Sequence, residues 1–153
     1  MSYIDLVGYF LTTLQNYQTS NPNSDIVIER SINPTDSISQ IQAASPQQMI
    51  LIDAPQTPNI EEFSGGAYML CTDTVRLQLW INVSSQSSNA NNAYTLLTSL
   101  RQYVLNAMQT RKTQAGLLSV ILRSAPQPTT MYNYVSDSML FECVHQETAI
   151  IAV

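Results

Sequence analysis

From Thr74 to Val83 every second position is a large aliphatic residue. Val75, Leu77, Leu79, Ile81 and Val83 fall on one side; Thr74, Arg76, Gln78, Trp80 and Asn82 fall on the other. A strand repeats every two residues, so this run predicts a strand with one dry face. A polar stretch, Ser84 to Asn92, separates it from a different period. Ala93, Leu96, Leu97, Leu100, Tyr103, Val104, Ala107 and Met108 recur at helical spacing. They predict a helix about 24 Å long, at 1.5 Å per residue, whose apolar stripe lies on the dry face of the strand.

The same reading extends along the chain. Ser2 to Gln18 predicts a helix with Leu6, Val7, Phe10, Leu11 and Leu14 on one face. Ser2 and Asp5 form a capping pair there. Gly8 weakens the middle by about 1 kcal/mol relative to Ala and permits a close contact. Asp25 to Ile32 predicts a strand that Asn33-Pro34 ends, because proline restricts the residue before it. Asp36 to Ala43 allows a short helical turn, and Met49 to Asp53 reads as a buried strand. Ala54 to Gly66 reads as a loop. Ala67 to Cys71 starts a strand that Asp73 interrupts with a turn or bulge. Gly116 reads as a helix stop. Leu117 to Arg123 and Ser138 to Gln146 read as strands around a loop from Ser124 to Thr130, with Thr148 to Val153 as an apolar tail. The expectation is a single α+β domain over residues 1–153. It is a mostly antiparallel four- to five-stranded sheet with two helices packed on one face.

Composition alters this picture in one respect. Charged residues make up 11% of the 153 residues, against about 25% for an average domain. A weakly self-repelling surface suits a protein packed against copies; lineage bias in composition explains it equally well. The net charge of −5 argues against a protein that grips nucleic acid, which needs clustered Lys and Arg. DNA sliding past without specific binding is compatible with it. Arg111-Lys112, the one adjacent basic pair, stands at the end of the long helix and complements its dipole. The beginning of the chain lacks the basic flank of a signal peptide. No apolar run reaches the roughly 18–20 residues of a membrane span. The expectation is a protein made in the cytosol with no membrane partner.

Candidate chemistry is sparse. Cys143 and His145 share a strand face, and Cys/His pairs support nucleophilic catalysis; the competing reading is a core cysteine beside a partly exposed histidine. Cys71 and Cys143 read as reduced, buried thiols. Two Cys and one His fall short of the four ligands of a structural zinc site, so no metal and no cofactor is expected. Glu61 and Glu62 form either a solvated loop tip or an acidic loop at the edge of a pore. Trp80 lies among polar neighbours. It is either a contact with another subunit, as aromatics and Arg often are, or covered by its own chain.

The element order, with Arg76-Leu-Gln-Leu-Trp-Ile-Asn-Val83, Ala93-Tyr-Thr-Leu-Leu-Thr-Ser-Leu-Arg101 and Met139-Leu-Phe-Glu-Cys-Val144 as its carrying segments, resembles the tail terminator, or tail-completion, proteins of long-tailed bacteriophages. The resemblance spans nearly the whole chain and is one of pattern. It implies a virion protein of the neck, assembled in the host cytoplasm, that closes into a hexameric ring. Such a ring caps the head-proximal end of the tail tube and joins it to the connector. Its partners are its own copies, the tail tube protein and a neck protein, and no enzymatic activity is expected. Candidate interface residues are Arg76, Trp80, Arg101, Tyr132 and Tyr134; Glu61 and Glu62 are the candidate acidic lumen loop. The alternatives are another neck component such as a stopper or adaptor, a small Cys/His enzyme, or a binding module with its pocket between sheet and loops.

Overall fold

A computed structural model describes residues 4–33, 36–44, 47–55, 59–63, 68–83, 90–124, 128–131 and 133–148. The elements run α1 (Leu6–Ser20), β1 (Ile26–Arg30), α2 (Ser37–Ala44), β2 (Gln48–Ile52), β3 (Asn59–Phe63), β4 (Tyr68–Asn82), α3 (Ala90–Gln109), β5 (Leu117–Ser124), β6 (Thr129–Met131) and β7 (Tyr134–Thr148). The α+β class is as expected. Among the described residues the sheet is larger than expected, with seven strands, and there is a third helix.

Two strands of 15 residues form the middle of the sheet. β4 and β7 pair antiparallel in one register from Tyr68↔Thr148 to Asn82↔Tyr134. Shorter strands flank them. β2 and β3 lie beside opposite ends of β4, β5 and β6 beside β7, and β1 lies outside β2. All pairings are antiparallel except β1 with β2. A parallel pair needs a crossover connection, and the crossover from β1 to β2 contains α2.

The period-2 pattern of β4 sorts the molecule into two cores. Val75, Leu77, Leu79 and Ile81 face α1 and α3, where Phe10, Leu14, Leu97, Leu100 and Val104 bury against them together with Met139, Phe141 and Cys143 of β7. Phe10 and Phe141 meet with ring centroids 5.3 Å apart. This is the layer expected from the sequence. The second face holds a smaller core: Ile41 of α2 against Met49, Leu51, Trp80 and Tyr134. Two helices therefore cover one face and α2 covers part of the other.

Several local expectations are corrected. Asp73 makes no turn or bulge; β4 runs straight through it. Asn59–Phe63 is a strand paired with β4, not loop, and Thr129–Met131 is a short strand paired with β7. Asp5 is itself the N-cap of α1, accepting the Gly8 N–H at 2.9 Å. Any Cβ at position 8 would strike that carboxylate, which gives Gly8 its close contact. Gly116 has φ +82°, but α3 ends at Gln109 and Gly116 serves the turn into β5 instead. The tail from residue 149 onward lies outside the described residues.

Candidate functional site

Among the described residues, three places gather several charged or exposed apolar side chains together. The first is buried. His145 is 2% exposed, not partly exposed as the sequence suggested. Its Nε2 lies 2.7 Å from Asp73 Oδ2 and its Nδ1 lies 2.7 Å from Glu147 Oε1. The Ile4 backbone N–H donates to the same Glu147 oxygen at 2.9 Å. The strand pairing explains the convergence. His145 and Glu147 are two apart on β7 and so share a face. Asp73 stands opposite Cys143 on the neighbouring β4. A neutral imidazole has one N–H to donate. Two carboxylates on its two nitrogens therefore require a second proton, on the ring or on one carboxyl. Buried charges persist only when paired and hydrogen-bonded in this way.

The two thiols lie next to this trio and are not activated by it. Burial, helped by the Asp73 and Glu142 charges, pushes the Cys143 thiol up to about 12. Burial and the charges of Glu147 and Asp73 raise Cys71 as well. A nucleophilic cysteine needs the opposite shift. Both cysteines are free and buried, as expected from the sequence.

Of the expected interface residues, Trp80 and Tyr134 are buried by their own chain, while Arg76 and Arg101 pair with buried carboxylates and stay partly exposed. Trp80 is 6% exposed, stacks edge-on against Tyr134 at 6.1 Å and is covered by α2. Its indole N–H donates to Gln78 Oε1 at 3.1 Å, and the Gln78 amide donates to Asp53 Oδ1 at 2.7 Å. Arg76 closes the row through an ion pair with the buried Asp53. So the polar side of the strand is an internal network beneath and beside α2, and of the two readings of Trp80 the structure has the covered one. Tyr134 is buried in the same core. Arg101 reaches from α3 to Asp137 of β7, whose side chain is fully buried. Tyr132 lies outside the described residues. Glu61 and Glu62 stand on β3, in register with Leu70 and Met69, and form no loop tip. Sequence reasoning missed Asp53, Asp73, Asp137 and Glu147. The spacing of His145 and Glu147 was the one available signal; the other partners are set by long-range pairing.

The second place is a groove of about 570 Å³ between the first half of α1 and the connection from α3 to β5. Arg30, Arg111 and Lys112 line it, three of the six cations of the chain. Arg111 also donates to the Met108 carbonyl at 2.8 Å, closing the end of α3 as its position predicts. The third place is β5, at one side of the sheet. Leu118, Ile121 and Leu122 are 58%, 42% and 37% exposed. They are three of the five large apolar side chains exposed among the described residues. No family model and no curated protein matches the chain.

Two outcomes follow. Replacing His145 by Leu leaves two buried carboxylates without their shared donor and is expected to lower unfolding free energy by about 3–5 kcal/mol, read by urea denaturation; a loss below about 1 kcal/mol contradicts the pairing. At pH 8 the folded protein is expected to resist iodoacetamide. A thiol at about 12 instead of 9.0 holds about a thousandfold less thiolate at that pH. Rapid alkylation of Cys143 without unfolding would restore the enzyme reading.

Proposed function

We propose that this chain is a virion structural protein, a tail terminator of a long-tailed phage. Its copies close into a ring, hexameric by the resemblance, on the head-proximal end of the tail tube. The observation that carries the reading is a sheet that ends, among the described residues, in a strand edge on each side. On one side β5 presents exposed Leu118, Ile121 and Leu122 beside a strand edge that pairs only with β7 among the described residues. On the other side β1 and β3 end the sheet. A ring of identical subunits needs two different complementary patches on each, and an exposed apolar edge strand is a template for pairing with another chain.

The face beyond α2 adds to this. Leu140, Val144, Thr72 and Thr74 of β4 and β7 are only half-buried there. In this reading the chain is a single α+β unit whose buried carboxylates each meet a partner within it. Its output in this reading is shape: a cap that stops tube growth, meets the neck, and lets DNA pass without binding it.

The reading predicts a closed ring in solution, seen as a multiple of the 17.0 kDa subunit by sedimentation and as rings by negative-stain imaging. The pair of changes Leu118→Lys and Ile121→Lys is expected to yield folded monomers. A wild-type protein that is strictly monomeric and fails to bind tail tubes overturns the proposal. Rings that bind the head connector and not the tube point instead to a stopper or adaptor.

A further inference from the structure

We propose that the groove between α1 and the α3–β5 connection is a docking site for an extended acidic peptide segment of a partner protein. The first argument is charge. The chain carries −5 overall, yet half of its cations line this one groove. Arg76 and Arg101 are committed to buried carboxylates, and Arg123 pairs with Glu142 at 2.9 Å. Arg111 and Lys112 make no ion pair among the described residues. Arg30 meets only Asp5, at 3.4 Å, with both side chains more than half exposed. Such a contact contributes little and exchanges easily.

The second argument is shape. A smaller cavity of about 330 Å³ continues the groove. The two share Tyr9, Arg111, Lys112, Thr113 and Gln114, and the second runs on to Leu117, Leu118 and Val120 of β5. A single phosphate fills only a fraction of this length. An extended chain matches it: carboxylates at Arg111 and Lys112, with the peptide running on toward Leu117 at the start of β5. Asp5 at the far end disfavours a second phosphate but accepts a peptide N–H. Its carboxyl is held below the usual value by the Gly8 N–H, and Arg30 lowers it further. The backbone under the cations is fixed, because the Tyr9 hydroxyl donates to the Lys112 carbonyl at 2.6 Å. Lys112 can therefore be changed without disturbing the fold.

The test is a titration of ¹⁵N-labelled protein with hexaglutamate, against sodium chloride of equal ionic strength and against inorganic phosphate. Saturable shifts at Gly8, Thr12, Lys112 and Thr113 are expected with the peptide. Lys112→Glu and Arg30→Gln are each expected to weaken binding about fivefold, within the range of exposed ion pairs, with unchanged Tm. Shifts scattered over the surface, shifts reproduced by chloride, or affinity unchanged in both variants would overturn the proposal. Phosphate binding as tightly as the peptide would do so too, and would mark a small-anion site. Arg30 and Lys112 lie outside the β5 edge proposed for the ring, so ring formation by the two variants is read separately and the two proposals fail separately.

Discussion

The pairing of β4 with β7 is the constraint on which the rest depends. Fifteen residues of each strand stay in one register, and every other element is placed by reference to it. A slip of one residue would turn Val75, Leu77, Leu79 and Ile81 away from α1 and α3. It would also part Asp73 from His145, and Asp137 from the layer that Arg101 reaches. The apolar row and the buried ionic contacts thus specify the same register. Agreement of that kind between levels separates one native arrangement from its competitors.

The charges divide into two populations. Asp53, Asp73, Asp137 and Glu147 are buried, and each meets a cation or the imidazole inside the domain. Buried pairs are weak evidence for net stability, because desolvation offsets much of the attraction. Their consequence is that removing one partner is costly. The second population lines a single groove: Arg111 and Lys112, without an ion pair among the described residues, and the loosely held Arg30. That groove gathers three of the six cations of the chain. The apolar feature is β5, and the groove runs into it.

Much of this was legible in the sequence, because period and burial agree along the central elements. Thr74 to Asn82 lies within β4 and Ala93 to Met108 within α3, and the two cysteines are buried thiols. The helical turn at Asp36 to Ala43 is a full α2, and its presence accounts for Trp80. Illegible features were those that depend on partners far along the chain. Asp73 reads as a break because a charge in an apolar strand is costly alone; its partner His145 lies 72 residues away. Asn59 to Phe63 carries two glutamates and follows prolines, so local preference argues for a loop, while pairing with β4 makes it a strand. Trp80 and Tyr134 read as interface residues because aromatic identity does not reveal which neighbour covers it.

Amide hydrogen exchange on the isolated chain tests the central claim most directly. The account predicts that amides of β4 and β7 between Val75 and Leu79 and between Met139 and Cys143 exchange last, through global unfolding alone, while those of β3 and the outer edge of β5 exchange early. If α1 or α3 outlasts the β4–β7 pair, or if that pair opens independently of the helices, the two long strands are not the spine of this protein and the account fails.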